Sequence, residues 1–420
     1  MSNYRGLISK LLIEMESQGI LKQIAAQEHA PDEPKMFVYS GWLNSPSKKL
    51  SDGNTWTGSA GGFSFTSREL ALLKCFVEAA ERFCNVCYKN KDLITSSFNK
   101  LKHTALDPTV FTSNHDTKNV ILRWIKAKDL LHGKVCLIPA QTVFFNYKFV
   151  ANEPHLTELI STGAAGGFDF ENTLLRGIYE IIERDAFMTV YLTKARIPRI
   201  DLSKVNDNKV KKILETVKRY RLEVEIFDLT NNLNIPSFLA ILIDQTGLGP
   251  SISLGLKSSL NFKTAVVGSM EESFHTRPWM KKEVLSRQDN KFTFDLNRVN
   301  TLLDRGLFWT SPSMIKSLGF LLNQPKTKLK FDFERLSPKN ELKRVLKLLK
   351  DHNIPAFYVD ITMKNFKKLG YIALKAVLPT LQPLFLHESH RELRWERIKE
   401  VSSYFGQKKI AINSIPHPFL

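Results

Sequence analysis

Cysteine is scarce in this chain: four in 420 residues. So few exclude a disulfide scaffold and point to a reducing compartment. Cys84 and Cys87 form a CxxC, yet a zinc site needs four ligands and only Cys75 and Cys136 remain, so the pair reads as ordinary thiols at a helix end. Long apolar runs are missing as well. The longest, from Phe238 to Ile243, is strand-length, far short of the roughly 20 residues of a membrane span. Met1 to Ile20 carries Arg5, Lys10, Glu14 and Glu16 among its leucines and isoleucines, the pattern of a short amphipathic helix and not of a signal peptide. The expectation is a cytoplasmic protein with no membrane partner. Low-complexity linkers and Pro/Gly hinges are also lacking, which favours one intertwined domain over two.

Acidic residues are in deficit: Lys and Arg number 60 against 42 Asp and Glu, a net charge of +18. A surplus of this size attracts polyanions. The basic residues are scattered, however, and clusters such as Lys209, Lys211 and Lys212, or Lys364, Lys367 and Lys368, are short and sit on helix faces. No recognition helix, zinc finger or aromatic RNA-binding motif accompanies them, so nucleic acid is not an expected partner.

What is present is an ordinary globular composition, 43% hydrophobic and 24% charged. Residues 1–45 read as an N-terminal extension, helical and then loop-like at Ala30 to Pro34, and residues 46–420 as the main domain. Val135 to Phe145, Phe238 to Ile243 and Ala356 to Asp360 have the apolar density of buried strands. Lys209 to Tyr220 and Asn340 to Asp351 have helical periodicity with lysine-rich outer faces. The class is α+β, mixed sheets packed with amphipathic helices.

An internal repeat carries the chemistry. Ala60-Gly61-Gly62-Phe63-Ser64-Phe65 returns as Ala165-Gly166-Gly167-Phe168-Asp169-Phe170. Each copy leads into a helix with an ExxER group, Glu78, Glu81 and Arg82 in the first and Glu180, Glu183 and Arg184 in the second. Twelve residues separate the two halves of the first copy and nine those of the second, a difference of about one helical turn. Thr66 with Glu69 predicts a capping box for the first helix. Glycine pairs ahead of helix starts suggest backbone N–H groups free for phosphate. On a helical wheel Leu174, Leu175, Ile178, Ile181 and Ile182 share one arc, and Glu180, Glu183 and Arg184 lie opposite. Leu72, Leu73, Phe76, Ala79, Ala80 and Phe83 form the apolar arc of the first helix, with Glu78, Glu81 and Arg82 in the same phase as their counterparts. One such helix would be a solvated face with an i,i+4 ion pair. Two matched copies point to function. Four carboxylates brought together require cations between them, and hard oxygen ligands favour Mg²⁺, which arrives with a nucleotide whose phosphates the arginines can hold.

In these residues the chain resembles the YcaO family of ATP-dependent enzymes, over nearly everything after the extension. Ser161-Thr162-Gly163-Ala164-Ala165-Gly166 with Glu180, Glu183, Arg184, Asp185 and Ala186 is similar to the family's most diagnostic stretch. Glu78, Glu81 and Arg82 resemble its first nucleotide motif, with Lys74 where a small hydroxyl residue is frequent. Glu272 to Arg277 resembles the third, with His275 where many relatives have glutamine. Trp124 to Pro139 is similar to the family's WxxxxDLxxG segment, and Asp360-Ile361-Thr362 through Val377 to Pro383 to its late strand-turn element. The end, Asn413 to Leu420, resembles the proline-rich tail of azoline-forming cyclodehydratases, with Leu420 where the terminal residue is commonly proline.

The resemblance implies a YcaO-like single domain that uses ATP and Mg²⁺ to convert Cys, Ser or Thr of a ribosomal precursor peptide into a thiazoline or oxazoline. It implies Glu78, Glu81, Glu180 and Glu183 as metal ligands, Arg82, Ser161, Arg184, Glu272 and Arg277 as nucleotide contacts, and the Leu420 carboxylate as base. The partners it implies are the precursor peptide, a leader-binding protein, a flavin dehydrogenase and a second copy of the chain as homodimer. Another reaction of the family, forming a thioamide or an amidine, is the nearest rival, and the tail argues against it. A catalytically silent scaffold is the other, and the intact motif glutamates argue against that.

Overall fold

A computed structural model describes residues 4–28, 30–112, 115–287, 299–328 and 335–420. The backbone forms two compact units, each assembled from separated stretches: Met1–Glu28, Met36–Ile181 and Ser337–Thr380 in the first, His29–Lys35, Ile182–Leu336 and Leu381–Leu420 in the second. The interleaving explains why no linker composition marks a boundary; the division falls inside a helix, at Ile181 and Ile182.

The first unit begins with α1 (Tyr4–Ser17) and an antiparallel sheet of β1 (Leu21–Ala26), β2 (Phe37–Leu43) and β3 (Gly58–Ser64). Thus strands flank the expected loop at 30–34. β1, Leu-Lys-Gln-Ile-Ala-Ala, carries one β-branched residue and no alternation, so its sequence gives no strand signal. Helix α2 (Arg68–Val86) lies directly on the backbone of β3. A Cβ on Gly62 would stand 2.1 Å from the Ala71 carbonyl oxygen and 2.4 Å from the Cys75 nitrogen, so only glycine permits this approach. The helix is capped by Ser67, whose hydroxyl accepts the Leu70 N–H at 3.1 Å, one residue later than the Thr66–Glu69 box predicts. Thr66 instead gives its N–H to the Ser64 hydroxyl at 3.1 Å, which turns the chain out of β3 first.

The second sheet of this unit runs β4 (Ile94–Ser97), β5 (Ile121–Asp129), β13 (Phe357–Asp360), β14 (Ile372–Val377) and β7 (Ala164–Gly167), with β6 (Val135–Pro139) paired to β5. β6 ends where Pro139 opens a short 3₁₀ turn, so the strand is half as long as the apolar run suggests. In the WxxxxDLxxG segment Asp129 accepts the Leu131 and His132 N–H groups at 2.8 and 3.0 Å, and Gly133 takes φ +69°; the motif builds the β5–β6 turn. Short α3 (Phe98–Leu101) follows β4, α10 (Pro338–Asp351) precedes β13, and α11 (Lys364–Lys368) joins β13 to β14. Phe76, Phe83, Trp124, Tyr147 and Tyr371 are among the side chains that fill the core.

Helix α4 (Phe170–Thr193) carries the chain from the first unit into the second. There a five-stranded sheet has the order β11 (Ile252–Ser258), β10 (Ser237–Ile243), β9 (Glu223–Asp228), β8 (Arg199–Ile200) and β12 (Lys326–Thr327). β10 is buried at every position, as its unbroken apolar run requires. The helices are α5 (Asn208–Arg219), α6 (Phe262–Glu272), α7 (Arg277–Leu285), α8 (Leu302–Phe308), α9 (Gly319–Leu322) and α12 (Trp395–Tyr404). α6 lies on β11 as α2 lies on β3: a Cβ on Gly255 would be 2.1 Å from the Ser269 oxygen and 2.4 Å from the Ser273 nitrogen. Among the described residues no helix is long and apolar enough to cross a membrane.

Candidate active site

The first unit collects Glu78, Glu81 and Arg82 from α2 with Glu180 from α4. The Gly61 N–H donates to Glu78 Oε2 at 3.1 Å and the Gly163 N–H to Glu180 Oε2 at 3.2 Å, each across 17 residues. The two copies are therefore in register through the amide-to-carboxylate bond, while the Gly-Gly-Phe element slides by three residues between them. Both glycine pairs lie ahead of their helices, as the sequence predicts, but within the strands β3 and β7, and the Gly61 amide serves Glu78. Arg82 reaches Glu78 Oε1 at 2.6 Å and the Ser59 carbonyl at 2.6 Å. Enclosure by protein, reinforced by the like charges of Glu78 and Glu180, pushes the Glu81 carboxyl up to about 8. Ser161 sits half-buried in the turn before β7, its carbonyl accepting the Ala164 N–H at 2.8 Å. Lys375 on β14, 3% exposed, donates to the Ile160 and Thr162 carbonyls at 3.0 and 2.8 Å. Enclosure lowers its ammonium to about 8 against the opposing pull of Glu180 and Glu81.

The second unit holds a matching arrangement around β11. Glu183 accepts the Ser258 N–H at 2.8 Å and the Lys257 ammonium at 3.0 Å, and Glu272 accepts the Leu256 N–H at 2.7 Å. Enclosure raises the Glu272 carboxyl to about 7; Arg184 and Lys257 oppose the rise and Glu183 adds to it. Glu183 and Arg184 are buried, 3% and 9% exposed, which removes the solvated-face reading of α4. Arg184 Nη1 lies 3.9 Å from Glu183, and its guanidinium stands 4.2 Å from the Phe419 ring centroid. Arg277 is drawn into a different network: Nε and Nη2 donate to Glu33 at 2.6 and 2.9 Å, Nη1 to the Pro250 carbonyl at 3.0 Å, and Asp244 accepts as well. Lys281 joins Glu33 at 3.1 Å. Thus Glu183, Arg184 and Glu272 come together, and Arg277 stands in an ion network of its own.

The tail is strapped down. The Pro416 carbonyl accepts Trp309 Nε1 at 2.9 Å and the Tyr191 hydroxyl at 3.1 Å, and Arg305 donates to the His417 carbonyl at 2.9 Å. His417, 1% exposed, meets the Phe385 carbonyl at 2.8 Å, and burial holds its imidazole well below the usual range. Phe419 is 4% exposed, and Leu420 Cδ1 lies 3.2 Å from where a Cβ on Gly306 would be. Cys75 and Cys84 are buried free thiols, each pushed up to about 12, in keeping with inert cysteines.

Sequence reasoning misses Lys257, Lys375, Glu33 and the β11–α6 copy. A lone lysine inside an apolar strand, as in Ile372-Ala-Leu-Lys375-Ala-Val, is the signal that could have found the first two. The carboxylates suit Mg²⁺ chemically: all are hard oxygen donors, and the raised Glu81 is a carboxyl in need of a cation. Among the described residues no three His, Cys, Asp or Glu side chains form a ready cage. Mg²⁺ needs none, since one or two carboxylates and phosphate oxygens usually complete its shell.

Comparison with known proteins places the fold and the family. An uncharacterised protein of Methanothermobacter thermautotrophicus is 23% identical over 212 residues, half of this chain and 55% of that protein. The chain spans about half the length or less of the curated relatives it matches. A heterocyclase solved in complex with substrate and cofactor superposes with TM-score 0.77 at 15% identity, over 99% of this chain and 57% of its own. The YcaO protein of Methanopyrus kandleri, bound with AMPPCP and Mg²⁺, gives 0.66 at 14% identity over 90% and 91% of the two chains. These likenesses speak to the fold. The sequence profile described as YcaO cyclodehydratase, ATP- and Mg²⁺-binding, matches residues 64–382, from the end of β3 to the Gln382 that follows β14, and so takes in each ExxER helix, Glu272 and Lys375. The chain belongs to the YcaO family.

Proposed function

We propose that the protein is an ATP-dependent peptide cyclodehydratase. The observation that supports this reading best is the duplicated amide-to-glutamate bond, Gly61 to Glu78 and Gly163 to Glu180, beside a Glu81 carboxyl raised by enclosure and by its acidic neighbours. A Cys, Ser or Thr side chain of the precursor peptide adds to the preceding amide carbonyl. The oxyanion so formed takes a phosphoryl group from ATP and leaves as phosphate, and loss of the amide proton closes the thiazoline or oxazoline. The chain's task is positioning and charge. Glu78, Glu81, Glu180 and Glu183 are the proposed metal ligands, and Mg²⁺ held there would neutralise phosphate charge. Arg82, Ser161, Arg184, Glu272 and Arg277 are the proposed nucleotide contacts, Arg277 after release from Glu33. The Leu420 carboxylate is the proposed base. A leader-binding protein, a flavin dehydrogenase and a homodimeric partner belong to the same reading.

The test is direct. Glu180→Gln and Glu183→Gln should each weaken Mg·ATP binding by about tenfold or more, the scale on which metal-site residues act, and should abolish loss of water from the peptide by mass spectrometry. Wild-type ATP affinity and turnover in both variants would refute the assignment.

A further inference from the structure

In the first copy of the motif the ExxER arginine does two things at once. Arg82 neutralises Glu78 at 2.6 Å and holds the Ser59 carbonyl, two residues before the amide that Glu78 accepts. In the second copy Ser161 stands two residues before the Gly163 amide bonded to Glu180, so the corresponding stretch of backbone has to be held there too. The Ile160 and Thr162 carbonyls, either side of Ser161, are held by Lys375, whose field also meets Glu180 and Glu81.

We propose that Lys375 is a positioning residue of the nucleotide site: from β14 it supplies a carbonyl clamp like the one Arg82 supplies in the first copy, and so fixes the turn that carries Ser161. The inference rests on the reading that Ser161 and Glu180 serve Mg·ATP. The geometry favours a designed part over an accident. β14 is paired on both sides, to β13 and to β7, so the root of the side chain is fixed. The ammonium is enclosed, and a lysine so placed is retained only with partners for its donors. Those partners are the carbonyls of one turn, whose following amide is pinned by Glu180. The turn is thus gripped from both ends.

Hydrogen exchange on the ligand-free protein tests the clamp. Lys375→Met should speed exchange of the Gly163 amide about tenfold, the loss expected for hydrogen bonds to a charged group, and leave the Gly61 amide unchanged. Arg82→Met should do the reverse, and Lys375→Arg should restore protection at Gly163. Lys375→Met should also raise the KM for Mg·ATP several-fold more than it lowers kcat. Unchanged exchange at Gly163, or equal loss at Gly61 and Gly163, would overturn the proposal, the latter by showing general loosening. Because the exchange needs no nucleotide, failure of the wild-type chain to bind Mg·ATP would defeat the functional reading while the clamp is still judged on Gly163.

Discussion

The two ExxER helices are held from behind by different means. After Arg82, α2 continues with Phe83, 2% exposed in an apolar cluster with Phe76, Ala79 and Ala80. After Arg184, α4 continues with Asp185, fully buried, which accepts from Arg397 at 2.7 to 3.1 Å, from the Gln382 N–H at 2.9 Å and from Asn231 at 3.3 Å. One motif at one helical phase is therefore fixed by packing in the first unit and by charge in the second. Packing degrades gradually when a side chain changes shape. A buried ion pair does not, because removing one partner leaves the other uncompensated.

Substitution should make that contrast measurable. Arg397→Met, which strands Asp185, should cost about 3–5 kcal/mol, read by denaturant unfolding, and Asp185→Asn in the same chain should recover much of it. Phe83→Leu should cost about 1.5 kcal/mol or less, as for a nearly volume-conserving swap. Equal losses would mean that Asp185 is held by its surroundings as a whole and not by Arg397.

The same contrast explains what the sequence discloses. Apolar periodicity and Gly-Gly-Phe are legible because packing leaves a pattern: Leu73, Phe76 and Phe83 recur at helical spacing, and β10 is an unbroken apolar run. The ExxER register is legible because it is repeated. Charge pairing leaves no pattern along the chain. Asp185 and Arg397 are separated by 212 residues, and Glu33 and Arg277 by 244. The β11–α6 copy is hidden for another reason. What it shares with β3–α2 is one glycine, Gly255, pressed on a helix backbone, and one glutamate bonded to a strand amide, too little to detect without the fold.

The two units also differ in how far their carboxyls are raised, to about 8 for Glu81 and about 7 for Glu272. Both folded values lie above the unfolded one of 4.5, so the folded chain binds more protons between those limits. The associated stability is complete below about pH 4.5, and it is lost as pH rises through the folded values. In metal-free buffer the melting temperature should fall from pH 5 to pH 8. Glu272→Gln should flatten the lower part of that slope, and Glu81→Gln should flatten it up to pH 8. Identical profiles for the two variants would show that the carboxyls titrate as one set.

The smallest effect concerns the arginines themselves. Arg82 is held by a carboxylate and a carbonyl, both directional, whereas Arg184 lies against the face of the Phe419 ring, which fixes its plane and leaves its N–H edge to other partners. A contact of this kind contributes about 0.5–2 kcal/mol. Phe419→Leu keeps apolar volume against Phe187, whose ring lies 5.9 Å away, and removes only the π face. The expected result is a small change in melting temperature and a rise of about two- to thirtyfold in the KM for Mg·ATP, on the same free-energy scale, with Phe419→Trp close to wild type. Arg82→Lys, by contrast, loses the directional pair and should disturb the Ser59 to Gly61 stretch of β3. If Phe419→Leu lowers the melting temperature and leaves KM unchanged, the ring packs the tail and does not orient Arg184. The tail's role then rests on Pro416 and His417, whose carbonyls are held by Trp309, Tyr191 and Arg305 whatever residue occupies position 419.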